Sequence, residues 1–118
     1  MLRVQFYPEG TDGPVREYLR ILKQAPARKA AAAKLGLDLR LLQEEGLTSK
    51  QVSVERITGI PGSVWELRRA FEGIKYRIYF CVRRSEIWLL HYLEKTTPRI
   101  PRHDLELIRK RAKEVLSK

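Results

Sequence analysis

Hydrophobic and polar positions change period along the chain. Leu2, Val4 and Phe6 alternate with Arg3 and Gln5, which predicts a short strand over Leu2–Tyr7. Pro8, Gly10 and Gly13 mark a turn, and Asp12 is the expected N-cap of a helix that Pro14 opens. Val15, Tyr18, Leu19 and Leu22 then fall at helical spacing, to about Gln24. After Pro26 an alanine-rich segment with Leu35, Leu39 and Leu42 predicts a second helix, from Ala27 to Glu45, stopped by Gly46. The short connection makes the two helices an antiparallel hairpin.

From Leu47 the period is that of strands. Val52, Val54 and Ile57 suggest a short extended piece. Val64–Ala70, Lys75–Arg83 and Glu86–Glu94 form an antiparallel meander, with turns at Glu72-Gly73 and Arg84-Ser85. Pro98 and Pro101 break the chain before a helix over Arg102–Leu116, with Leu105, Ile108, Ala112 and Val115 on one face. The expected fold is α+β in the order β-α-α-β-β-β-α. A small, mostly antiparallel sheet packs against an N-terminal helical hairpin and a C-terminal helix.

The chain has 118 residues, which fits one domain spanning 1–118. A hydrophobic fraction of 43% suffices for a core, which argues against wholesale disorder. The single cysteine, Cys81, excludes an internal disulfide framework and any multi-cysteine metal site, and it reads as a packed thiol. His91 and His103 lack metal-ligand spacing. MLRVQFYPEG has no apolar signal region, and no run reaches the roughly 18–20 apolar residues of a membrane helix. The expectation is therefore a soluble cytoplasmic domain with no membrane partner.

The net charge is +10, and it is uneven. Residues 1–60 carry ten basic and seven acidic side chains, and residues 61–118 carry fourteen and seven. An anionic partner is implied, facing the second half. Strand alternation sorts the meander into two faces. Tyr76, Ile78, Phe80 and Val82 share one face, as do Trp88, Leu90 and Tyr92 on the next strand. The opposite face gathers Glu66, Arg68, Arg77, Tyr79 and His91, with Lys95, Arg99 and Arg102 following. Arginine offers a planar fork of donors for phosphate, and lysine adds a compact charge. Together they suit the extra negative charge of a phosphorane-like transition state. Tyrosine or histidine would stack on a base or move a proton.

WELRR at 65–69, YRIYF at 76–80 and LLHYLEKTTPRIP at 89–101 resemble, in order and spacing, the RelE/HigB superfamily of bacterial toxins. They are most similar to its HigB-like, phage-derived branch, and PVREYL at 14–19 fits the same pattern. The resemblance implies the toxin of a type II toxin–antitoxin system, within the wider RelE/ParE group. It implies a RelE-like fold and an endoribonuclease that cuts mRNA at the ribosome with no metal or cofactor. It also implies a helix-turn-helix antitoxin as partner, through which the complex reaches operator DNA.

Carried over by motif, the implied catalytic residues are Arg68, Arg77, Lys95 and His91. Tyr79, Arg99 and Arg102 are the expected RNA contacts. Thr96 stands where the family pair has its second lysine, Leu93 replaces the aromatic before the pair, and Ile100 replaces the threonine before the final proline. The loss of one lysine lowers the positive potential at the site. Two alternatives stay open on the same scaffold: a non-nucleolytic toxin of the gyrase-inhibitor type, and a basic nucleic-acid-binding co-repressor.

Overall fold

A computed structural model of the chain describes residues 1–60, 62–94 and 99–118. The elements are β1 (Arg3–Phe6), α1 (Pro14–Gln24), α2 (Lys29–Glu45), β2 (Ser53–Arg56), β3 (Val64–Phe71), β4 (Ile74–Arg83), β5 (Glu86–Glu94) and α3 (Arg102–Leu116). They form a mixed five-stranded sheet in the order β1-β5-β4-β3-β2. All pairs are antiparallel except β1 with β5. The expected α+β class holds, and the extended piece around Val54 pairs with β3 as an edge strand.

The local chemistry explains the boundaries. Gly13, rather than Asp12, occupies the N-cap of α1, and no side chain caps that end. Asp12 Oδ1 instead accepts from the Gly13 N–H at 2.9 Å. Gly13 has φ 143°, and a Cβ there would fall 1.7 Å from the Tyr7 carbonyl oxygen, so only glycine fits. Glu72 and Gly73 both have positive φ between the paired residues Phe71 and Ile74. That is the two-residue hairpin turn whose twist matches its strands.

Two cores lie on opposite sides of the sheet. Val15, Tyr18 and Leu22 of α1 and Leu35, Leu39 and Leu42 of α2 pack over Leu67, Tyr76, Ile78, Phe80 and Leu89. Ile108, Ala112 and Val115 of α3 pack over Val64, Tyr79, Cys81 and Leu90. Each fully buried aliphatic side chain contributes about 1.5–3 kcal/mol relative to exposure. The sheet is thus the middle of three layers, and α3 covers Tyr79 on the face expected to gather the polar cluster.

A bulge in β5 redistributes its side chains. The β4–β5 register shifts between Tyr79, opposite His91, and Phe80, opposite Leu89, which leaves Leu90 as the extra residue. Strict alternation groups Trp88, Leu90 and Tyr92. The bulge instead sends Tyr92 to the hairpin side, stacked on Tyr18 at 3.8 Å, while Trp88 and Leu90 join the α3 side.

Candidate functional site

Two rows of side chains cross the α3 side of the sheet. Glu55, Glu66, Tyr79 and His91 are successive register partners from β2 to β5, and Ser53, Arg68, Arg77 and Leu93 form the next row. Acids therefore face acids and arginines face arginines across the strands. Like charges directly opposite destabilise a sheet. Here each row neutralises the other. Glu66, 2% exposed, accepts from Arg68 Nε and lies 3.7 Å from an Arg77 terminal nitrogen. Arg68 also pairs with Glu55. The bond to Glu66 raises Arg68 above the ordinary arginine value, so its charge is fixed.

Burial separates the expected site residues. Arg68 remains exposed, whereas Arg77 is 6% and His91 9% exposed. Tyr79 is fully buried beneath α3, a core position that offers no platform for a base. Burial pushes its phenol well above the ordinary tyrosine value. Burial also pushes the Cys81 thiol up to about 12, which leaves it protonated and inert, as a packed thiol. Lys95, with Thr96 beside it, lies outside the described residues. Arg102 points into solvent and pairs with Glu106 at 3.4 Å, one turn along its own helix.

His91 is held at both ends of its ring. Arg111 donates to Nδ1 at 3.2 Å, and Nε2 lies 2.8 Å from Asp104 Oδ1. A guanidinium cannot accept, so Nδ1 is the acceptor and Nε2 carries the proton given to Asp104. Burial is the main cause of a lowered His91 pKa. The Arg111 charge adds to it, and the Asp104 bond opposes it. The imidazole is a neutral, doubly engaged strut between sheet and α3. To transfer a proton it has to leave one of those partners.

Arg68 sits between two open recesses. One, of about 370 Å³, is lined by Glu55, Arg56, Ile57, Thr58, Glu66, Arg68, Arg99, Ile100 and Leu105. The other, of about 190 Å³, is lined by Arg68, Arg69, Ala70, Lys75 and Arg77. The structure therefore brings Arg68, Arg77 and Arg99 to one continuous strip, and leaves His91 and Tyr79 under the helix. The smaller recess has four cationic side chains and no acid in its lining. Arg69 is anchored there by Asp38 of α2, whose carboxylate is 1% exposed and accepts from Arg69 Nε at 2.8 Å.

Lys75 was not among the expected site residues. It is exposed and shares strand parity with Arg77, so alternation already carried the signal. Among the described residues, no group of three or more His, Cys, Asp or Glu side chains is placed to hold a metal ion, and no helix is long and apolar enough to cross a membrane.

The chain is thus an α+β domain with a cationic strip on its sheet. The chain belongs to the family described as phage-derived protein Gp49-like (DUF891), whose model matches residues 20–113. Members are generally toxins of toxin–antitoxin systems within the RelE/ParE-like superfamily, so an antitoxin partner is implied. No curated protein and no solved structure matches the chain.

Proposed function

We propose that this chain is a ribosome-associated mRNA endoribonuclease of the HigB-like kind, held in check by a helix-turn-helix antitoxin. The observation that carries the reading is the acid-free recess of Arg68, Arg69, Lys75 and Arg77 at the end of β3 and β4. A phosphodiester seated there meets forked guanidinium donors and one mobile ammonium. RNA brings its own nucleophile. The 2′-OH attacks the adjacent phosphorus, the bond to O5′ breaks, the 2′ proton departs and O5′ gains one. The products are a 2′,3′-cyclic phosphate and a 5′-OH.

The protein's part is charge. Arg68 and Arg77 stabilise the additional negative charge on the equatorial oxygens, at a site where their own charges are already organised by Glu66. Lys95, which follows β5 in sequence, belongs to the same site by the family resemblance. Arg99 lines the neighbouring recess and extends the path for the RNA backbone.

A specific observation favours a second reading. Both ring nitrogens of His91 are engaged, and Tyr79 is buried. His91, the expected proton carrier, is engaged and Tyr79, the expected base contact, is covered, which suits a toxin that binds without cutting, of the gyrase-inhibitor or co-repressor type. Induction in a bacterium followed by mapping of mRNA 5′ ends separates the two. New ends inside translated frames, lost in Arg77→Ala, support the nuclease. Growth arrest with intact mRNA and a DNA-damage response supports the alternative.

A further inference from the structure

Between α1 and α2 the hairpin carries a cluster of cations beside small apolar groups, of which Leu19 and Ala32 also pack against the hairpin-side core. A groove runs between the two helices as two adjoining recesses, of about 350 and about 520 Å³, which share Leu19, Lys23 and Lys29. Leu19, Ala32, Ala33 and Gly36 supply its apolar surface. Arg16, Arg20, Lys23 and Lys29 supply its charge. Arg20 pairs with Glu17, and Arg16 lies 5.6 Å over the Phe6 ring. Among the described residues, no carboxylate pairs with Lys23 or Lys29.

Gly36 adds an independent oddity. Glycine inside a helix costs about 1 kcal/mol relative to alanine. A Cβ at Gly36 would meet nothing within 4 Å, so no contact inside this chain calls for the bare backbone. The next residue, Leu37, is a large hydrophobic left 48% exposed.

We propose that this groove receives an amphipathic helix of the antitoxin, with small apolar residues on its inner face and Asp or Glu along its flanks. The proposal rests on the family's toxin–antitoxin character and is independent of the ribonuclease reading. Charge complementarity selects the occupant: a channel with cations on its rim and apolar groups inside fits an acidic helix on both counts. RNA fits poorly, because no aromatic side chain lines the groove to stack a base. A helix seated here would share no lining residue with the recess of Arg68, Arg69, Lys75 and Arg77.

The test titrates the purified full chain with the full-length small protein encoded beside it, at two salt concentrations. The expected result is binding that weakens with salt. The double variant Lys23→Glu/Lys29→Glu should weaken it by roughly 10–100-fold, in line with the coupling of close charge pairs. Ala33→Glu, at an exposed position, should weaken it by at least about tenfold. Lys110→Glu, a charge reversal on the exposed face of α3, should leave affinity within about threefold. Unchanged melting temperatures establish that the variants fold.

Groove variants that bind like the wild type would overturn the proposal, as would an equal loss in Lys110→Glu. So would groove variants that lose a single-stranded oligoribonucleotide while keeping the neighbour protein. A neighbour that fails to bind the wild-type chain would remove the antitoxin premise itself, a failure distinct from misplacing its site.

Discussion

Arg68 and Arg77 face each other directly across the β3–β4 ladder, and the buried carboxylate of Glu66 pairs with both. Two opposed guanidinium groups are unfavourable unless a counter-charge lies between them. Glu66 is that counter-charge, and Arg68 remains exposed beside it. Glu55 adds a second carboxylate on Arg68, and Asp38 holds Arg69.

Glu66→Gln tests this arrangement, because glutamine preserves volume and removes the charge. Stability should fall by about 1–3 kcal/mol, the usual cost of losing a charge-assisted bond at a buried site. A urea titration reads the loss as a lower midpoint with unchanged slope. An unaltered midpoint would show that the arginines do not need their acid.

Lys75→Ala probes the recess without touching its scaffold. Lys75 is exposed, so stability should stay within about 0.5 kcal/mol. Affinity for single-stranded RNA should drop, and the slope of log affinity against log salt should shrink by about 0.7–1, as for one lost phosphate contact. An identical slope would place the RNA elsewhere.

His91 makes the seating of α3 sensitive to acid. Its folded-state pKa lies below the ordinary value of 6.5, so between the two the unfolded chain binds more protons. The contribution is therefore complete above about pH 6.5, and it declines as pH falls through that value toward the folded pKa. Protonation at Nδ1 also sets a new N–H against the Arg111 guanidinium. Denaturation curves on either side of that value should show a larger acid loss in the wild type than in His91→Gln. Parallel losses would assign the acid sensitivity to other groups.

The sequence made some of these features legible and hid others. The Glu72-Gly73 hairpin, the bounds of β5 and the apolar stripe of α3 were readable, because turn chemistry and periodicity act locally. Grouping Arg77 with Arg68 was readable too, since both follow from strand parity. The bulge at Leu90 was not, for no glycine or proline marks it. The covering of Tyr79 and His91 was hidden for a different reason. It depends on where α3 lands, which the pattern of Ile108, Ala112 and Val115 does not specify. The clamp of Asp104 and Arg111 on His91 joins groups 13 and 20 residues away, beyond the reach of strand parity. Alternation does carry Lys75, which lies just outside the YRIYF motif at 76–80.

The most direct test of the central claim, that the cationic strip promotes attack by the RNA's own 2′-OH, uses a synthetic RNA containing a mapped cleavage site. The RNA is presented on ribosomes to the purified chain, and the ends are analysed by mass spectrometry. The account predicts a 2′,3′-cyclic phosphate and a 5′-OH, with cleavage abolished by a single 2′-deoxy substitution at the cut and by the charge-removing Arg77→Ala. Cleavage that persists through the 2′-deoxy position, or products ending in a 5′-phosphate, would contradict it.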